Sequence, residues 1–299
     1  MTTDRAHSVK TVAKRLLLTP AVFFNNDFLY TNKVSLACAR GALNAALRRV
    51  DPSNSITWEF CAFSQNGEDG IIEHLTSLID SPNHYFVEIG ASDGLENNSS
   101  YLAFVKKYSG VMVEGDRYQS RRAKRFLQSL NWGVSYLNLM VTPETLGRLK
   151  EEVLYLNPDF FSLDIDGIDY YVAKHVMESG FRPKFFCVEY NSAYGPERSM
   201  TIEYDSTFNV ATAHSSRLYY GVALAAWKRF FDEYGYRFIT VESHGVNAFF
   251  VDPQAVDVTG MQNLRFIDFR ENYARWMRDK GDHAEQFELI RDMPHRVVK

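Results

Sequence analysis

Residues 86–102 read FVEIGASDGLENNSSYL. The run from Tyr85 to Gly90 is short, apolar and rich in aromatic and β-branched residues, then breaks into small residues and an acid. That texture predicts a buried strand that feeds a tight turn and then a helix. Glu88 lies near the end of the strand. Gly90 and Gly94 let the backbone turn sharply and approach a ligand closely. The spacing is E-x-G-x-x-x-G, and Ser92 stands where a dinucleotide fingerprint has its middle glycine. A pyrophosphate seeks bare N–H groups at a helix N-terminus. An acid inside the turn, Asp93, opposes a pyrophosphate and favours a cationic ligand.

The same texture recurs along the chain. Short strand-like runs occupy 85–90, 110–116, 133–141, 160–167, 184–191, 236–243 and 247–252. Helical patterns fill 64–80, 99–108, 117–130, 143–156, 169–180 and 217–234. Strands alternating with helices predict an α/β fold with a mostly parallel sheet covered on both faces. The last two strands are separated only by SHGV, so they form an antiparallel hairpin at one edge. Seven strands ending in such a hairpin are the pattern of a Rossmann-like class I methyltransferase sheet. Before it, residues 1–55 read as a helical arm, with Thr31 capping a helix from Asn32 to about Val50. Residues 56–260 form the main domain, and 261–299 read as one or two polar helices packed outside it.

The bulk numbers narrow the classes. The chain has 299 residues, 45% of them hydrophobic, which supplies a sizeable core. Its net charge of -4 argues against general nucleic-acid binding, which shows as a basic face. Residues 1–51 carry an excess of Lys and Arg, so the remainder is the acidic part. Cys38, Cys61 and Cys187 are far apart and odd in number, so neither a disulfide framework nor a zinc spacing follows, and a reducing cytoplasm is expected. No apolar run is long enough to span a membrane. KRLLLTPAVFF (14–24) reads as a mature amphipathic segment, broken by Pro20, rather than as a signal. The small residues of the arm suit helix packing, and a homo-oligomer formed through it is expected.

In an open α/β sheet, ligands bind beyond the carboxyl ends of the strands. There Glu88 and Asp93 face a positive ligand such as S-adenosylmethionine (SAM), which carries a sulfonium and an ammonium. The second strand ends in VEGD, placing Glu114 where a carboxylate accepts both ribose hydroxyls. The third ends near Asn138, beside the adenine edge.

Six stretches then occur in a fixed order: SQNGEDGII (64–72), FVEIGASDGLENNSSYL, GVMVEGD, SLDIDGIDYYV (162–172), CVEYNS (187–192) and GVNAFFV (245–251). Together they resemble the FkbM-like class I SAM-dependent methyltransferases, in a bacterial branch bearing SQxGEDG and DIDGxDY, over roughly residues 60–252. The branch is similar, more distantly, to metal-dependent macrolide-sugar O-methyltransferases. The resemblance implies SAM as donor and a sugar or natural-product hydroxyl as acceptor. In its terms Gln65 and Glu68 sit over the methionine end of SAM. Asn97, Asn98 and Ser99 offer donors to the methionine carboxylate.

Asp164, Asp166 and Asp169 crowd the end of the fourth strand, and alternation points the first two to one side. Glu189 and Asn191 end the neighbouring fifth strand. Nearby carboxylates repel unless a cation or proton compensates. A hard cation such as Mg²⁺, held by Asp164, Asp166, Glu189 and Asn191, meets that need. The extra spacer in DIDGID and the Asn in EYN depart from the metal-dependent pattern, and Asp164 as a buried structural acid beside SAM is the alternative. Methyl transfer to an alcohol also needs a base. Asp166 is placed beside the acceptor, and the candidate bases are Asp169, His214 and, ranked below it, His244. The loop 191–208 and Tyr219–Tyr220 offer aromatic residues for a sugar ring. Rival readings are an acceptor at a membrane surface, a SAM-fold interaction module without catalysis, and a nicotinamide enzyme.

Overall fold

The computed structural model describes residue 30, residues 32–272, residue 274 and residues 278–299. The basic segment 14–24 and the cap expected of Thr31 lie outside the described residues. Within them the chain opens on helix α1 (residues 32–47), a 3-10 turn at Ser55–Trp58 and α2 (Glu68–Thr76). Strand and helix then alternate: β1 (Tyr85–Ile89), α3 (Ser100–Phe104), β2 (Ser109–Glu114), α4 (Arg117–Leu127), β3 (Val134–Asn138), α5 (Leu146–Glu152), β4 (Phe160–Leu163), α6 (Asp169–Glu178) and β5 (Phe185–Glu189). After a short strand β6 (Met200–Ile202) and a turn of helix α7 (Val210–Ala213) come α8 (Leu224–Glu233), β7 (Arg237–Val241) and β8 (Asn247–Val251).

Seven strands form one sheet in the order β3-β2-β1-β4-β5-β8-β7. β1 to β5 pair in parallel, and β8 runs antiparallel to both β5 and β7. This is the class I methyltransferase arrangement that the alternation and the final hairpin predict. A crossover at β1/β4 opens the crevice there.

The strands are apolar on both sides because both faces are covered. Val87, Ile89, Val113, Phe161, Leu163, Phe186 and Val188 point to one face, against Leu149, Val172, Val176, Trp227 and Phe231 of α5, α6 and α8. Phe86, Met112, Phe160, Phe185, Cys187 and Phe249 point to the other, against Ile71, Leu75, Leu102, Ala123 and Leu127 of α2, α3 and α4. The period-two split of each strand thus builds two cores. The expected strands all appear, but they end short of the expected limits, so Asp164 and Asp166 lie in the turn after β4 while Glu88, Glu114 and Glu189 stay on strands.

Residues 261–299 depart from the expected polar helices. They hold one short described helix, α9 (His283–Glu288), and a strand β9 (His295–Val297) that pairs antiparallel with β6. α9 begins on a full capping box, Asp282 with Glu285, yet closes after six residues. Residues 217–223, expected as helix, form an irregular loop with Arg217 and Gly221 in the left-handed region, and α8 starts only at Leu224. Among the described residues no helix is long and apolar enough to cross a membrane.

The end of the sheet remote from the crevice is tied by one buried ion pair. Asp159, fully buried, accepts from the N–H groups of Asn83 and His84 and from Lys184 Nζ at 2.7 Å. Lys184 also donates to the Ser81 carbonyl. Removing one partner strands the other charge in a low dielectric. Lys184→Met should therefore cost about 3 kcal/mol in urea denaturation; a loss below about 1 kcal/mol would show that the pair is incidental.

Candidate active site

A cleft of about 1320 Å³ lies beyond the carboxyl ends of β1, β2, β4 and β5. Its floor is the turn after β4. Asp169, fully buried at the start of α6, accepts from the N–H of Ile165 at 3.0 Å and of Gly167 at 2.8 Å. Those two bonds fix the turn, and Asp166 adopts the left-handed region (φ +51°), which aspartate tolerates better than most residues. Asp169 thus positions the turn; it does not line the cleft, and the role of base expected of it falls away. Gly90 (φ +92°) closes the floor, since a Cβ there would lie 1.7 Å from the Asp164 carbonyl oxygen. Gly94 serves packing instead: a Cβ there would meet Ala123 and Leu127 of α4, and the residue is not in the cleft.

Asp164, Asp166 and Glu189 bring carboxylate oxygens within 4.8 Å of one another. They converge through the turn after β4, not through alternation along a strand, because β4 ends at Leu163. Burial, followed by repulsion from Asp166, Asp169 and Glu88, raises the pKa of Asp164; burial, followed by repulsion from Asp164, Asp166 and Asp169, raises that of Glu189. Tyr220, buried, reaches Glu189 Oε1 at 3.4 Å and faces the cleft. Asn191 is not a fourth ligand. Its amide donates to the carbonyls of Leu218 and Tyr220, and its oxygen caps the following turn at Ala193.

A second row of acids runs under α2. Glu88 is 1% exposed; Oε1 accepts from the Asn98 N–H, while Oε2 is buried without a partner. Burial pushes its pKa up to about 8. Glu68, equally buried, accepts from Asn66 and from Asn247 Nδ2 at 2.9 Å. Asn247 Oδ1 is likewise buried and unpartnered. Gln65 stands on the rim, donating to Glu96. Behind the row, Asp69 gathers the N–H groups of Ala62, Phe63 and Ser64 on one oxygen, which folds the segment 62–69 onto the sheet. α2 accordingly starts at Glu68, four residues into the helical pattern expected over 64–80.

At the tip of β2 the Glu114 carboxylate is fixed by backbone. Oε2 accepts from the Ser92 N–H at 2.8 Å and Oε1 from the Asp116 N–H at 2.7 Å. Ser92 reaches it by taking φ +49°, so the turn keeps the conformation that glycine would adopt there. Val113, Leu139, Met140 and Val141 add an apolar wall. Asp93, by contrast, points into its own turn, accepting from Leu95 and Glu96, and does not face the cleft. Asn138 turns its amide onto the carbonyls of Glu114 and Gly115, away from the place expected for an adenine contact. Ser99 is fully buried outside the cleft, while Asn98 lines it with its amide on Ser162.

The two loop histidines exchange rank. His214 bonds Ser216 and stays out of the cleft. His244 lines the mouth, its Nδ1 3.7 Å from Glu242, and that neighbouring carboxylate raises its pKa. Of the aromatic residues expected over an acceptor, Phe208 and Tyr220 line the cleft, while Tyr219 bonds the carbonyl of Pro294. Sequence reasoning missed Asn247, which stands inside GVNAFFV, and Met140, which no pattern marks. It also missed the wall supplied by α1 through Lys33, Leu36, Ala37 and Arg40, whose spacing is that of one helix face.

No protein-family model matches the chain. No curated protein matches it either. Among solved structures the chain is similar to the O-methyltransferase from Bacillus cereus with SAH, at 15% identity over 73% of this chain and 89% of that one (TM-score 0.41). It is similar also to precorrin-6y C5,15-methyltransferase from Geobacter metallireducens GS-15, at 11% identity over 60% and 86% (TM-score 0.37). A human methyltransferase 10 domain containing protein is 10% identical over 74% and 96% (TM-score 0.40). These likenesses concern the fold.

Raised carboxyl pKa values carry a sign. Asp169 at about 6, Asp69 at about 7 and Glu88 at about 8 are harder to ionise folded than unfolded. Their stabilising effect is complete below the unfolded carboxylate range and is lost as pH rises through those values. The ligand-free protein should therefore melt lower at pH 8.5 than at pH 5.5 in a thermal scan, and Glu88→Gln should flatten the decline. A Tm that rises across that window, or an unchanged slope in the variant, would contradict the electrostatic account.

Proposed function

We propose that the chain is a SAM-dependent methyltransferase acting on a hydroxyl of a sugar or other small molecule, in the manner of FkbM-like enzymes. The observation that carries the reading is Glu114. Two backbone N–H groups hold this carboxylate at the tip of the second strand, and each oxygen keeps an acceptor site for a ribose diol. The rest of the cleft suits the same ligand. Glu88 Oε2 and Asn247 Oδ1 are buried acceptors that lack a donor, which an ammonium supplies. The wall of Val113, Leu139 and Met140 suits a purine. SAM, when bound, supplies an electrophilic methyl group.

The protein's own task is to place an acceptor oxygen in line and to take its proton. Tyr220 and Glu189 line the place beside the acid cluster where a hydroxyl would be oriented, and His244 stands at the mouth within reach of solvent. We include a divalent cation such as Mg²⁺ in this reading, held by Asp164, Asp166 and Glu189. The fit test is electrostatic: three oxygens within 4.8 Å repel one another, and a hard cation relieves that repulsion. When bound, such an ion lowers the pKa of a coordinated hydroxyl.

Calorimetry with S-adenosylhomocysteine and, separately, with NAD tests the reading. The former should bind, and Glu114→Ala should weaken it by about tenfold or more, the worth of charge-assisted bonds to a diol. Binding of NAD alone would replace the reading with a nicotinamide enzyme. For the cation, EDTA should quench turnover and Mg²⁺ restore it. Asp166→Asn should cost kcat heavily while leaving S-adenosylhomocysteine affinity within about threefold, a margin under 1 kcal/mol. Turnover indifferent to chelator would remove the metal and leave the methyl donor in place.

A further inference from the structure

The segment expected to receive the methionine carboxylate has turned most of its donors inward, and the Ser99 hydroxyl, though unpartnered, is buried outside the cleft. The N–H groups of Leu95 and Glu96 end on Asp93, that of Asn98 on Glu88, and those of Ser99 and Ser100 on Asn97. Asn97 Nδ2 goes to the Ala91 carbonyl and Asn98 Nδ2 to Ser162. An anionic group entering here also meets Glu68, Glu88, Asp164 and Glu96. A carboxylate in such surroundings needs a cation.

The described residues that line the cleft include two lysine or arginine side chains, and both stand on α1: Lys33 and Arg40. They share one helix face with Leu36 and Ala37, and Gln65, Leu95 and Glu96 line the same cleft. Among the described residues Arg40 has one polar contact, Nη1 to Cys61 Sγ at 3.8 Å, which leaves most of a five-donor fork unused. Neither side chain forms an ion pair with a described acid, although Glu96 lines the same wall. A guanidinium left free on the rim of an acidic cleft matches a carboxylate bidentately.

We propose that Arg40, supported by Lys33, binds the carboxylate of the cofactor's methionine, so that the N-terminal arm completes the donor site. The inference rests on the reading of the cleft as a SAM site. It explains how one ligand bearing two positive groups and one negative group is accommodated: the positive groups lie over the strand-tip acids, and the negative group turns out toward α1. It also makes the arm part of the binding site, where the sequence motifs place the site wholly within the main domain.

Two ligands separate the possibilities. S-adenosylhomocysteine carries the methionine carboxylate; 5′-methylthioadenosine has the same nucleoside without it. By calorimetry on the full chain, Arg40→Ala should weaken S-adenosylhomocysteine about tenfold, as expected for loss of a charge-assisted pair. It should leave methylthioadenosine affinity unchanged, and Arg40→Lys should restore part of the loss. Equal weakening of both ligands would assign Arg40 to the shape of the arm, and no weakening of either would remove it from the site; each result overturns the inference while the methyl-donor reading stands. Failure of the unaltered protein to bind S-adenosylhomocysteine overturns both.

Discussion

Mutual repulsion among carboxylates at the carboxyl ends of the central strands is the constraint around which this molecule is organised. Glu88, Asp164 and Glu189 come from three adjacent strands or their turns, and Glu68 closes over them from α2. Ionised together in a dry interior they would be costly. The fold answers in two ways. Some acids are neutralised by backbone dipoles: Asp69 by three N–H groups, Asp169 by two, Glu114 by two. Among the cleft acids, Glu88 keeps a buried oxygen without a partner and Asp164, Asp166 and Glu189 crowd within 4.8 Å, which stores an affinity for positive charge.

That division separates scaffold from site. The acids bonded to backbone hold loops in place: Asp69 binds the 62–64 segment through one oxygen and Asp169 sets the turn that carries Asp164 and Asp166. The unsatisfied acids face the cleft. On the proposed reading a cationic ligand lowers the energy of the arrangement by supplying donors to the cleft acids, at the crevice that the sheet crossover at β1/β4 opens. Glu114 belongs to both groups, since backbone fixes its position while its remaining lone pairs stay open.

The fold was legible because it depends on periodicity. Each strand alternates toward two apolar cores, and the SHGV linker is too short for anything except a hairpin. The C-terminal stretch misled because polarity resembles an exposed helix, whereas its register with β6 is a tertiary pairing that no local pattern announces. At the site, residue types marked the right turns but not the direction of each side chain. Asp93, Asn138 and Asn191 are short polar residues beside turns, where such side chains bond nearby backbone in preference to a ligand. Glu88 and Glu114, with longer side chains on strand ends, do face the cleft. Arg40 was hidden for another reason: it lies far from every motif in sequence, and only packing of α1 beside the 61–65 segment brings it to the rim.

The central claim is that the acidic strand tips receive the positive end of an adenosyl sulfonium compound with its ribose on Glu114. A crystal structure grown with S-adenosylhomocysteine tests it most directly. The account predicts both ribose hydroxyls on the Glu114 carboxylate and the amino group within hydrogen-bond distance of Glu88 Oε2. A nucleoside bound elsewhere, or one in the cleft with Glu114 and Glu88 both untouched, would contradict it.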